Sequence, residues 1–191
     1  AKGQTLVEST CFRCHGEHNK DPQGYPIYDA PKLIPHNLVG TDGQRLNYGN
    51  SLWVDLAEQG SVSDLISFNR SKFNYGYFAP KLWGVWSRFP YLHNGSVPTL
   101  YHMMIPQAMR PLIFSMQEAG EEHRYDPKNA GLTLFSKTQY KKALARAKKG
   151  NRNIYYVKRE GLSNQGHYFP KYFDKLTDEN RLAIIEYLKT L

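Results

Sequence analysis

The chain is 191 residues long, 40% hydrophobic and 22% charged, with a formal charge of +8. Its apolar share, with 14 Tyr and 9 Phe, is enough for a packed core and argues against low-complexity disorder. No window approaches the roughly 18 consecutive apolar residues of a membrane-spanning helix, so no integral membrane segment is expected, and the length suits a single domain over 1–191 with room for insertions.

Gly3 to Phe12, with Leu6 and Val7 as its apolar positions, reads as a short helix that delivers Cys11, Cys14 and His15 to one place. Residues 17–50 are rich in Pro, Gly, Asn and Asp, with turn signals at Asp21-Pro22, Tyr25-Pro26, Ala30-Pro31 and Asp42-Gly43, and read as loop. Leu52, Trp53, Leu56 and Ala57 fit a short helix ended by Gly60, and Val62, Leu65, Ile66 and Phe68 fit a second. From Tyr77 to Leu100, aromatics alternate with Pro80, Gly84, Pro90 and Gly95, which predicts irregular backbone packed on the core. Ser96 as N-cap and Pro98 in the first turn start a helix through Leu100, Met103 and Met104 that Pro106 ends.

A helix from Ser136 to Lys149, stopped by Gly150, follows. It opens a stretch with Lys137, Lys141, Lys142, Arg146, Lys148, Lys149, Arg152, Lys158 and Arg159 and no acidic residue, which is either a solvated face or a docking patch. In the last helix Thr177 is the cap, Asp178 and Glu179 complement the dipole, and Leu182, Ile185 and Leu188 form one apolar stripe. No zinc-finger spacing or aromatic strand motif is present, so nucleic acid is not an expected partner.

The only two cysteines stand in Cys11-Phe12-Arg13-Cys14-His15, the pattern of covalent haem attachment. Two intervening residues let both sulfurs reach the vinyl groups on one porphyrin edge while the next residue aims an imidazole at the iron. A redox disulfide normally follows a strand in a βαβ unit, whereas a helix precedes this pair. A structural zinc site needs a second pair of ligands at matching spacing, which the chain lacks. The expected cofactor is one haem c.

The second axial ligand is open on spacing alone, because His18, His36, His93, His102, His123, His167, Met103, Met104, Met109 and Met116 are all candidates. His18 is too near His15 to reach the opposite face and reads as a surface residue. His36 and His123 sit among polar turn residues, where a solvated imidazole is usual. His93 precedes Asn94-Gly95-Ser96 and reads as a packing residue in a turn. Met103 and Met104 read as core filler. His167 stands in a loop before the last helix, from which a haem held between the first and last helices is within reach. Trp83 and Trp86 read as core packing against the porphyrin, and in an enzymatic alternative the aromatic segment around Trp83, Trp86 and Tyr91 would shape a pocket. Arg88 and Arg110 carry the fork that matches a propionate, and either is equally a surface charge.

Tyr77-Phe-Ala-Pro-Lys-Leu-Trp-Gly-Val-Trp-Ser-Arg-Phe-Pro-Tyr-Leu-His-Asn-Gly-Ser-Val-Pro-Thr-Leu100 resembles the signature of the rubber oxygenase family and its relatives among di-haem cytochrome c peroxidase-like proteins. Gly40-Thr41-Asp42, Arg110-Pro111 and Ser163-Asn164-Gln165-Gly166-His167 are similar in order, and the whole resembles the second, C-terminal haem domain of those proteins. The resemblance implies a bis-histidine iron with His167 as the distal ligand. It also marks a departure, since those enzymes activate oxygen or peroxide at a second haem for which this chain has no motif.

The expected fold is mainly α, a cytochrome c-like helical domain around one haem with long loops and insertions. The expected function is a mono-haem electron carrier, with Cys11, Cys14, His15 and His167 holding the cofactor. Its basic segment would dock an acidic face of a redox partner. The alternatives are a haem peroxidase or oxygenase, or one haem domain of a larger redox enzyme. Thioether attachment belongs to non-cytoplasmic compartments, so a periplasmic address is expected. The chain opens at Ala1 without a charged n-region or apolar h-region, so a targeting segment is expected to have been removed.

Overall fold

The structure, a computed structural model, describes residues 2–27, 31–49, 75–116 and 125–191. His123 and the helices read from Leu52 to Gly60 and from Val62 to Phe68 lie outside these residues.

The two terminal helices form the frame. Lys2–Thr10 buries Gly3 and Val7 against Asp178–Leu188, which buries Ile184, Ile185 and Leu188. Gly3 stands at the crossing, where a Cβ would lie 2.0 Å from the Ala183 carbonyl oxygen, so only a glycine lets the backbones approach this closely. The Thr177 hydroxyl accepts from the Asn180 N–H at 3.2 Å, as the sequence predicts, with Asp178 and Glu179 in the first turn. Ile184, fully buried, belongs to the inner stripe, while Leu182 is only partly buried.

The expectation of a mainly α fold is wrong. Among the described residues three two-stranded antiparallel sheets stand among the helices: Lys32–Pro35 with Gly76–Ala79, Ile113–Ser115 with Ile154–Tyr156, and the tight pair Tyr125–Asp126 with Gly131–Leu132. The residues that pair, Ile34 with Tyr77, Leu33 with Phe78 and Phe114 with Tyr155, include many β-branched and aromatic side chains, which fit a pleated surface. Each run is too short to display an alternating pattern, so composition alone leaves it reading as loop. The stretch read as loop over 17–50 holds the first of these strands, the helix His36–Val39 and helical residues 44–49.

The helix read from Ser96 begins later, as Leu100–Met103, capped by Thr99. Val97 is held by bonds to Tyr91, and the Pro98 carbonyl accepts from the Leu132 N–H, so this segment stays extended. Lys137–Lys148 matches its predicted span, closed by a reciprocal capping box between Ser136 and Gln139. Its buried Ala143 and Ala147 pack on Ile113 and Ile154, in a core cluster separate from the one between the terminal helices.

Candidate functional site

The first helix ends at Thr10, and a second short helix, Phe12–His15, follows directly after Cys11. The Cys11 N–H donates to the Val7 carbonyl and the His15 N–H to the Cys11 carbonyl, so Cys11, Cys14 and His15 share one further turn, which Gly16 ends at a φ of 70°. Cys11 and Cys14 are half-buried and form no disulfide with each other. Burial raises the Cys11 pKa, opposed by the Thr10 hydroxyl 3.3 Å from its sulfur.

Cys11, Cys14 and His15 line a cavity of about 540 Å³, a usual size for a cofactor site. Its walls are largely apolar: Ile34 and Tyr77 come from the first sheet, Leu100, Met103 and Met104 from the short middle helix and its end, and Phe173, Ile184 and Leu188 from the C-terminal part. His15 Nδ1 lies 2.6 Å from the Pro80 carbonyl oxygen. A carbonyl only accepts, so Nδ1 carries the proton and the Nε2 lone pair is left for another partner. Burial lowers the His15 pKa, the Pro80 bond opposes this, and the Arg88 charge adds to it.

His167 faces His15 across the cavity, with ring centres 6.1 Å apart. Its backbone is in the left-handed region at a φ of 51°, rare for a residue other than glycine, and follows Gly166 at 80°. The His167 N–H donates to the Val39 carbonyl at 2.7 Å, tying this turn to the segment that contains Gly40. Burial pushes the His167 pKa down to about 4, with the His15 and Arg110 charges acting in the same direction. Both imidazoles are therefore held neutral at neutral pH.

Arg110 is the least expected member of this neighbourhood. It is 5% exposed and does not line the cavity; its Nε donates to the Ile105 carbonyl, and its Nη1 to the carbonyls of Asn164 and Gly166. Burial lowers its pKa to about 10, so it remains charged at neutral pH. Asn164, also buried, returns an Nδ2 hydrogen bond to the Pro111 carbonyl.

The other sequence candidates separate. His93, Met103 and Met104 border the cavity, with His93 stacked on Tyr77 at 4.4 Å. His18 is not a surface residue: its Nε2 accepts the Leu82 N–H, and its ring lies between Phe12 and Trp83. His36 is engaged by the Thr41 carbonyl and the Tyr75 ring instead of being freely solvated. His102 bonds to Thr99, and Met109 is exposed. Tyr91 and Arg88 line the cavity, but Trp83 packs on His18 and Trp86 meets Tyr125. None of the basic residues of 137–159 lines the cavity, and Arg159 is committed to the carbonyls of Ala147, Asn151 and Ile154. The Pro80 carbonyl, the Arg110 bonds and the first sheet were not legible as site features. Gly40-Thr41-Asp42 and Arg110-Pro111 were the traces of them in the sequence.

Residues 76–115 match the family described as RoxA-like, cytochrome c-like. The chain is 34% identical to the uncharacterized protein y4iM of Sinorhizobium fredii (strain NBRC 101917 / NGR234), over 99% of this chain and 48% of that protein. It is 33% identical to the uncharacterized protein y4iJ of the same strain, over 71% of this chain and 21% of that protein. The chain thus spans about half the length of the first of these relatives and a smaller part of the second.

The family implies haem c, and the residues present fit it. Two imidazoles on opposite faces of one iron, each with a metal–nitrogen bond of about 2 Å, place their ring centres roughly 6 Å apart, close to the spacing of His15 and His167. Among the described residues Thr41 Oγ1 and His93 Nε2 are buried without a hydrogen-bond partner, on residues that line the cavity, where a ligand bearing carboxylates would satisfy them. Residues 76–115 are thus similar to a RoxA-like, cytochrome c-like domain, and the cavity lined by Cys11, Cys14 and His15 agrees with that similarity.

Proposed function

We propose that the chain is a mono-haem c-type cytochrome that carries electrons, its haem c bonded through Cys11 and Cys14 and its iron held between His15 and His167. The observation that supports this most is the 6.1 Å separation of the two imidazole rings across the cavity. In attachment, each cysteine S–H adds across one vinyl C=C, forming an S–C and a C–H bond with no leaving group. Haem c supplies a one-electron couple between ferric and ferrous iron. The protein's share is to keep both imidazoles neutral, as ligation requires, to fix the His15 tautomer through Pro80, and to surround the group with apolar side chains.

Two strong axial ligands leave no open position for oxygen or peroxide, which favours electron transfer over oxygenase or peroxidase chemistry. The thioether chemistry supports a periplasmic address. For an acidic redox partner, Arg13, Lys32 and Lys81, which border a small recess beside Cys14 and His15, are better placed than the cations of 137–159. A second reading, one haem domain of a longer redox enzyme, is favoured by the share of y4iM and y4iJ that the chain leaves uncovered.

The test is to mature the chain in a host that attaches haem c, then record its mass and its reduced spectrum with and without carbon monoxide. One haem per chain, resistant to acid extraction, and a reduced spectrum unmoved by carbon monoxide are expected. His167→Ala should bind carbon monoxide, and Met104→Ala should not. Colourless protein, or wild-type protein that binds carbon monoxide readily, overturns the proposal; the latter result favours the enzymatic reading.

A further inference from the structure

His167 sits in a backbone conformation it would not choose, so something must hold it there. Its own N–H is tied to the Val39 carbonyl, and Gln165, two positions before it, bonds to the Thr41 carbonyl and the Ser163 hydroxyl; these contacts hold the outer side of the turn. The turn also has a guanidinium against its inner edge. The carbonyls of Asn164 and Gly166 converge on Nη1 of Arg110, while Nε is tied to the Ile105 carbonyl. Among the described residues no carboxylate stands in ion-pair range of this buried cation. A buried charge without a counter-ion costs several kcal/mol of desolvation, and three carbonyl contacts are what offset it here. A neutral side chain that merely filled the space would avoid that cost.

We propose that Arg110 is a positioning residue for the distal ligand: its bonds to the carbonyls of Asn164 and Gly166 set the left-handed turn that presents His167 to the iron. The inference rests on the bis-histidine reading above. Arg110 does not line the cavity, so its contact with the site runs through the carbonyls of the turn that carries His167. The direction of its effect follows from geometry. Freed from the guanidinium, the turn relaxes towards negative φ, the imidazole moves off axis, and the sixth position opens part of the time. The same contact explains why the cation is kept in a turn otherwise closed by the tight approach of Gly166 to Gly40.

The test uses the full haem-loaded chain with Arg110→Met and Arg110→Lys, with His167→Ala as the reference for an open sixth position. In Arg110→Met, carbon monoxide association with the reduced protein is expected to rise at least tenfold, the low-spin fraction to fall, and the midpoint potential to move towards that of His167→Ala. Arg110→Lys, which keeps the charge but not the fork, should fall between Met and wild type. A residue that only supported the fold would lower the unfolding midpoint and leave ligand exchange and potential unmoved. Wild-type carbon monoxide kinetics and potential in folded Arg110→Met would overturn the proposal. Should Arg110→Met fail to fold, wild-type values in Arg110→Lys would overturn it equally. If His167→Ala itself stays six-coordinate and low-spin, the ligand reading has failed; if only the Arg110 variants are silent, the positioning role has failed.

Discussion

Gly166 meets Gly40 backbone to backbone: a Cβ at Gly166 would stand 2.4 Å from the Gly40 carbonyl carbon and 2.4 Å from the Thr41 nitrogen. Neither neighbour is a flexible side chain, so nothing can yield without moving the chain, and Gly166 also holds a φ of 80°. Gly166→Ala therefore combines a steric clash with left-handed strain, together about 2 kcal/mol or more. The expected result is a lower denaturant midpoint together with partial opening of the sixth iron position in the haem-loaded protein. Loss of stability with an unchanged low-spin spectrum would show that the turn can shift without carrying His167 with it.

Tyr91 ties the cavity wall to the second half of the chain. Its hydroxyl lies 3.0 Å from the Ala130 carbonyl and 3.1 Å from that of Val85, and it is 7% exposed. Burial raises its pKa far above the ordinary tyrosine range, so it stays a neutral donor at any usable pH. Tyr91→Phe keeps the ring and leaves buried carbonyls short of a donor, at a cost of ~1–3 kcal/mol. Chemical denaturation should show that loss, while the absorption spectrum of the bound haem should barely move.

How much of this was readable beforehand depends on the kind of signal. The Cys11-Cys14-His15 turn and the Ser136 and Thr177 caps are local patterns, and each appears where the residues place it, whereas the terminal apolar stripe takes in Ile184 and leaves Leu182 only partly buried. The sheets were not legible, because Ile34 finds Tyr77, and Phe114 finds Tyr155, across 43 and 41 positions of chain, and runs of three or four residues carry no periodicity of their own. Tertiary contact also decides the function of Arg110. Nothing in its neighbours in sequence distinguishes a guanidinium that caps carbonyls more than 50 residues away from one on the surface. His167 was one of several candidates on spacing, and only the fold sets it opposite His15.

His102 gives a pH dependence that does not involve the cofactor. Burial and then the nearby Arg110 charge push its pKa down to about 4, Asp126 opposing, while its Nδ1 stays 2.6 Å from the Thr99 hydroxyl. In the unfolded chain the ordinary value is about 6.5, so between those limits the unfolded state binds a proton that the folded state refuses. Stability from this residue is complete above about pH 6.5 and is lost as pH falls towards 4. In urea titrations at pH 7.5 and 4.5, His102→Gln is expected to lose less stability between the two than the wild type. Equal losses in both proteins would mean that His102 is protonated in the native state.

The crossing of the terminal helices places a small residue where stability and the haem motif meet. A methyl group at Gly3 would lie 2.0 Å from the Ala183 carbonyl oxygen and 3.0 Å from Tyr187 Cβ, and the obstacle is helix backbone, so the two helices must part. Overpacking at such a contact costs about 1–3 kcal/mol, against which the better helix propensity of alanine returns less than ~1 kcal/mol. Because the turn Phe12–His15 follows directly, joined through the Cys11 N–H bond to the Val7 carbonyl, parting at Gly3 tilts the turn that carries both thiols. Gly3→Ala should therefore lower the thermal midpoint and reduce the yield of chain with haem attached during maturation, whereas Gln4→Ala, on the exposed face, should do neither. A Gly3→Ala protein with wild-type midpoint would mean that the helices part at little cost, and that Val7 with Ile184 and Ile185 alone sets their contact.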